Sequence, residues 1–210
     1  IAEIALENGL LIISDEIYER LSYDGFKVTS IASLSEEAKK STVVLNGVSK
    51  TYSMTGWRIG YAAGPKNIIK AMTNIQSQST SNPTSISQWA AVEAISGPQT
   101  EIDKMVAEFV KSRDSIVAGL NAIDGISCIK PQGAFYVFPN VSKLFGRKYK
   151  GSPIKGSVDL ATYLIDEAGI AVVPGEPFGD DNFIRLSYAT SMDHIVKGVK
   201  RIGEAVKELK

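Results

Sequence analysis

The residues able to do chemistry in this chain are few. It has one cysteine, Cys128, and one histidine, His194, which excludes an internal disulfide, a CxxC metal or redox motif, a His-rich metal site and a His-based triad. Chemistry must rest on Lys, Asp, Arg, Tyr and Ser. Asp15 follows the apolar run Leu10 to Ile13 almost directly, and Lys50 lies just past Thr42–Asn46, in Val48-Ser49-Lys50-Thr51-Tyr52. In open α/β sheets, ligands bind beyond the carboxyl ends of the strands, so an acid and an amine would emerge at one rim if both strands share a parallel sheet. Position alone leaves a second reading open, two ordinary surface residues. Ser49-Lys50-Thr51 superficially matches a phosphate-binding loop, but the glycines that motif needs are missing. A Schiff base with a carbonyl is the remaining common task for such a lysine. A lysine bonded to pyridoxal phosphate (PLP) needs an Asp or Arg at the pyridine nitrogen and cationic or amide donors for the phosphate. Asp15 supplies the first, and Ser49 and Arg58 are candidates for the second, the arginine through its bidentate fork.

The elements that must hold these residues are legible in the apolar pattern. Three runs, 10–14, 42–46 and 57–63, read as strands, and the first two lack alternation, as strands buried on both faces do. Helical periodicity covers 66–77, 85–95 and 101–123, the last about six turns long. Beyond Gly125 the units shorten: strands at 126–129, 134–138, 170–173 and 183–188, helices at 158–167 and 194–209. Strand–helix alternation predicts an α/β layered protein. Arg147, Lys148, Lys150 and Lys155 read as a solvated basic loop. With 23 Lys+Arg against 23 Asp+Glu, net charge zero and 44% hydrophobic residues, the composition is globular and argues against a nucleic-acid or anionic-membrane binder. No apolar run approaches the ~18 residues of a membrane span. The opening IAEIALENG reads as the tail of an amphipathic helix and not as a signal peptide, so a piece of a longer protein is expected.

Six segments carry a resemblance. SDEIYERLSYDG, VVLNGVSKTYSMTGWRIGYAAGP, SNPTSISQWAAVEAI, PQGAFYVFPN, VVPGEPFG and FIRLSYATS together resemble the fold-type I PLP-dependent aminotransferases, and most of all the bacterial branch of the class-I aspartate aminotransferase group. The resemblance covers essentially the whole chain and about the C-terminal half of such an enzyme. It implies the end of a mostly parallel large-domain sheet with its helices over 1–112, including the start of a long connecting helix. A small α/β domain would occupy 113–210.

The resemblance also implies roles. Lys50 would be the Schiff-base lysine and then the base that moves the substrate Cα proton. Asp15 would pair with the pyridine nitrogen, and Tyr18 would hydrogen-bond the ring's phenolic oxygen. Arg58 and Ser49 would hold the phosphate, and Arg185 would clamp the substrate α-carboxylate. Many relatives carry a phosphate-binding serine three residues before the lysine, where this chain has Gly47. For Arg185, which sits among Phe183, Ile184 and Leu186, the competing reading is a structural salt bridge to Asp180 or Asp181. Core packing is the reading for Cys128, Trp57 and Trp89, and packing competes with substrate proximity for Phe135 and Tyr136. His194 reads as the first turn of the last helix, behind Ser191 and Asp193 as capping candidates.

The implied activity is ping-pong transfer of an amino group from an amino acid, aspartate by family, to a 2-oxo acid, in a cytoplasmic homodimer without metal, nucleic acid or membrane. Relatives take a glycine-containing phosphate loop, a ring-stacking aromatic and an asparagine from their other half, so the chain alone is expected to turn over little or nothing. The competing readings are a carbon–sulfur lyase or decarboxylase on the same scaffold, an aminotransferase-like domain of a transcription regulator, and a fragment with no activity of its own.

Overall fold

The computed structural model describes residues 1–210 and divides into two compact units, 1–104 and 105–210. In the first, α1 (Ala2–Glu7) leads into β1 (Ile12–Asp15), and α2 (Glu36–Lys40) leads into β2 (Thr42–Gly47). α2 begins where the Ser35 hydroxyl accepts the Ala38 N–H at 3.1 Å, with Glu36 and Glu37 in its first turn and Lys39 and Lys40 in its last, each sign suited to the helix dipole. β3 (Gly60–Ala63) completes a sheet of order β1-β2-β3. β1 and β2 run parallel, with Asp15 opposite Leu45, and β3 is antiparallel, with Gly60 opposite Gly47. The parallel pair therefore brings the ends of β1 and β2 to one edge.

β1 differs from the expectation of burial on both faces. Its residues alternate, Ile12 and Ser14 half-buried, Ile13 and Asp15 exposed. Elements of this chain cover one side of the strand and leave Ile13 open. The same holds for the helices that follow, α3 (Lys66–Ser79) and α4 (Ser85–Ser96). α4 is apolar around its circumference, which is the pattern of an enclosed helix, yet Trp89 is 75% exposed and Ile86 69%. Trp57 and Trp89, expected in a core, are both open to solvent here.

α5 (Thr100–Asn121) carries the boundary between the two units, Lys104 to Met105. The second unit holds a three-stranded antiparallel sheet of order β4-β8-β7, built from β4 (Tyr136–Val137), β7 (Val173–Pro174) and β8 (Ile184–Ser187). Between β4 and β7 come a small hairpin of β5 (Lys148–Tyr149) and β6 (Ser152–Pro153), then α6 (Ser157–Ala168); α7 (Met192–Glu208) closes the chain. Leu120, Val137, Leu144, Leu160, Ile184 and Ile202 form the centre of its core, each almost wholly buried. α6 ends at Gly169 in left-handed geometry (φ 62°), and the Gly169 and Ile170 amides satisfy the Ile165 and Leu164 carbonyls, a Schellman-type stop.

Two short elements depart from expectation. The strand expected at 126–129 is reduced to a single bridge, Ser127 to Asn140. The Asn121 side chain takes both backbone groups of Cys128 instead, at 2.9 and 2.7 Å, and so replaces a ladder. The basic segment expected as a free loop is the β5–β6 hairpin, held by Lys150 over the Tyr149 ring and near Glu167.

Candidate active site

The parallel β1–β2 pair continues one residue past Asp15, because the Glu16 N–H donates to the Leu45 carbonyl at 2.8 Å. The Glu16 carboxylate in turn accepts the Ser14 and Ser30 hydroxyls at 3.0 and 2.7 Å. Glu16 is thereby fixed by both backbone and side chain, and it sets the direction in which the chain leaves the strand. Asp15 is exposed at the rim, and its Oδ1 accepts only the Ile17 N–H, at 3.2 Å. The chain then makes hydrogen-bonded turns, not a helix, through Tyr18, whose carbonyl accepts the Leu21 N–H at 2.9 Å.

Beyond β2 the segment 48–58 folds into a tight loop. The Tyr52 N–H returns to Val48, the Ser53 N–H to Lys50, and the Thr55 hydroxyl donates to the Ser49 carbonyl at 3.1 Å. Ser53 (φ 53°) and Arg58 (φ 52°) sit in the left-handed region, a cost of order 1 kcal/mol each. Arg58 is exposed, and its Nη1 donates to the Thr55 carbonyl at 2.9 Å. No carboxylate pairs with it.

The two loops meet. The Lys50 Nζ lies 5.8 Å from the centre of the Tyr18 ring. Gly47 is what lets them approach: a Cβ there would stand 3.2 Å from the Ile17 side chain and 3.0 Å from the Gly60 Cα. The serine that many members of the resembled family carry at this position would need these neighbours to give by a few tenths of an ångström.

The donor set suits PLP by its chemistry. An amine and a phenol are in contact, a carboxylate without a cation lies on the same rim, and a guanidinium without an anion closes the loop. A cationic pyridine nitrogen and a phosphate are the charges those two unpaired groups lack.

The second unit holds Arg185 on β8, half-buried between two buried neighbours, Ile184 and Leu186. Its guanidinium carbon is 4.7 Å from the centre of the Phe178 ring and 4.9 Å from that of Tyr136. Neither candidate salt-bridge partner reaches it. Asp180 accepts the Asn182 backbone and side-chain amides at 3.0 and 2.9 Å. Asp181 accepts the Ser157 N–H and hydroxyl at 2.9 and 2.6 Å, and these bonds hold its carboxyl below the usual carboxylate range. A half-buried guanidinium stacked on aromatic rings and lacking a carboxylate has its bidentate fork free to pair with an anion. Tyr136, uncertain from sequence between packing and substrate proximity, is one of the two rings under that charge.

Sequence reasoning missed Glu16, Phe178, Ser157 and the wholly buried Arg113. A signal existed for the last. Arg113 stands four residues after Phe109, three before Ile116 and four before Val117, a cation in the middle of an apolar stripe. Its Nε donates to Asp114 at 2.9 Å and its Nη1 to the Pro131 carbonyl at 3.2 Å.

A family model described as "Aminotransferase class I and II" matches residues 1–202. The chain is 50% identical over 207 residues to the aspartate aminotransferase of Bacillus sp. (strain YM-2), covering 99% of this chain and 52% of that protein. It is 50% identical over 196 residues to a probable aspartate/prephenate aminotransferase of Rickettsia conorii, covering 93% of this chain and 49% of the relative. The crystal structure of the aspartate aminotransferase from Rhizobium meliloti superposes with a TM-score of 0.96 at 45% identity, over 99% of this chain and 52% of that one. The chain thus spans about half the length of the relatives it matches.

Proposed function

The chain belongs to the class I and II aminotransferases, and from that premise we propose that it is the part of a PLP-dependent aspartate aminotransferase that carries the covalent lysine and the α-carboxylate clamp. The contact of Lys50 with Tyr18, beside Asp15, is the observation that carries this reading. When bound, PLP supplies the electron sink that stabilises the charge left as a substrate Cα–H bond breaks.

The chain's own residues would do the rest. Lys50 Nζ would hold the cofactor covalently and, once freed, take the Cα proton and return it at another carbon, a general base at the end of a half-buried stem. Asp15 would keep a proton on the pyridine nitrogen by opposing it with a carboxylate. Tyr18 would donate its phenolic hydrogen to the ring oxygen, and its face lies 5.8 Å from Nζ. Arg58, with Ser49, would hold the phosphate. Arg185 would fix the α-carboxylate by two parallel N–H bonds while Tyr136 and Phe178 exclude water from its faces. Amino acid and 2-oxo acid would take turns as substrates, in a cytoplasmic homodimeric parent.

Reaction with PLP followed by borohydride and peptide mapping tests the assignment. Label confined to position 50, and abolished in Lys50→Ala, is expected. Label elsewhere, with position 50 unmodified, would overturn it.

A further inference from the structure

Phe178, one of the two rings beneath Arg185, is itself 52% exposed. Its ring meets Phe138 edge-on, centroids 6.1 Å apart, and the rest of its placement depends on how the turn is held. The turn is the 3-10 segment Glu176–Phe178, flanked by Gly175 and by Gly179 in left-handed geometry (φ 88°). Its own bonds, Phe178 N–H to Gly175 and Gly179 N–H to Glu176, close the turn but do not attach it to anything.

Beyond the β7–β8 pairing that ends at Pro174, the turn itself is attached by Ser157, the first residue of α6 and fully buried. A serine hydroxyl has one hydrogen to give and two lone pairs, and here all three are used. It donates to Asp181 Oδ1 at 2.6 Å and accepts the Gly175 and Glu176 amides at 3.1 and 3.2 Å. The Ser157 N–H donates to the same Asp181 oxygen at 2.9 Å, so Asp181 caps α6 from a distance of 24 residues in sequence. Gly156 and Gly175 permit the close packing: a Cβ on either would collide, at 156 with the Asp181 carboxylate and at 175 with the Asp180 and Phe183 carbonyls. Asp181 sets the hydroxyl's hydrogen, the hydroxyl sets the turn, and the turn sets the ring.

We infer that Ser157 and Asp181 are positioning residues for the anion clamp, fixing the plane of the Arg185 guanidinium through the Phe178 turn without touching the substrate. This rests on the reading of Arg185 as the carboxylate clamp, but the positioning can be measured apart from it.

The Arg185 Nε–H resonance, assigned by its loss in Arg185→Lys, reports the two rings directly, since protons over an aromatic face are displaced from their solvent-exposed position. In the 210-residue chain, Asp181→Ala is expected to return this resonance toward the exposed value, as Phe178→Ala does. Asp181→Asn, which keeps an acceptor for Ser157, is expected to retain the displacement. An unchanged resonance in a folded Asp181→Ala chain would overturn the inference, because a loss of helix capping alone would lower stability without moving it. Succinate titration of the wild-type chain reads the clamp itself. A shift of the same resonance is expected, and its absence would sink the carboxylate role of Arg185 while leaving the Asp181 result to stand or fall alone.

Discussion

The Lys50 ammonium lies 5.8 Å from the centre of the Tyr18 ring, a contact between a loop after β1 and a loop after β2. The ring and the hydroxyl of Tyr18 therefore have separable tasks. Tyr18→Phe should leave borohydride labelling at Lys50 near wild type, because the face survives. Tyr18→Ala should reduce its rate a few-fold, because the ring packed beside the amine no longer holds it in place. Equal labelling rates in both variants would show that the ring does not orient the amine.

Arg185 should not be replaceable by lysine. The ammonium has neither the planar fork nor the stacking surface that Tyr136 and Phe178 accept. In the full-length parent, Arg185→Lys or Arg185→Ala should lower kcat/KM for aspartate by about a hundredfold or more, as loss of one partner of a desolvated pair costs about 2–5 kcal/mol. Steady-state kinetics with aspartate and 2-oxoglutarate give the ratio.

Gly47 should reject the serine found in many relatives. The added Cβ would stand 3.2 Å from Ile17 and 3.0 Å from Gly60, so both must give way, and overpacking of this kind costs about 1–3 kcal/mol. Gly47→Ser should lower the urea midpoint of the chain with little change in slope. An unchanged midpoint would mean that β3 yields easily.

Arg113→Ala should destabilise more than any surface charge change. It removes a fully buried side chain, leaves the Pro131 carbonyl without the Nη1 donor and takes one partner from Asp114. A loss of about 3 kcal/mol is expected by chemical denaturation, against nearly none for the exposed Lys104–Glu101 pair.

Cys128 should be chemically silent in the fold. Burial pushes its thiol from 9.0 up to about 11, so a thiol reagent at pH 8 should react only after denaturation. The folded thiol binds its proton more tightly than the unfolded one. Its contribution to stability is therefore whole below pH 9 and is lost as pH rises from there through about 11. Melting curves of the wild type and Cys128→Ala across that window should converge.

Much of this was legible because strands and helices announce themselves by period. The helices at 66–79, 100–121 and 192–208 follow their apolar stripes, and Asp15 and Lys50 follow from where two apolar runs end. What escaped depends on partners far away in sequence. A continuous apolar run such as 10–13 says that both faces suit burial, but not whether anything covers them. Ser157 looks like any helix-starting serine until Asp181 and Gly175 are brought to it. The weak strand at 126–129 lost its ladder to Asn121, a competition between side chain and backbone that no periodicity records.

The uncovered side of the first unit also governs how the molecule must be handled. With Ile13, Ile86 and Trp89 facing water, the isolated polypeptide should bind hydrophobic dyes and self-associate on concentration. Its shelf life would then be a colloidal matter, set by crowding in the tube more than by the strength of either core.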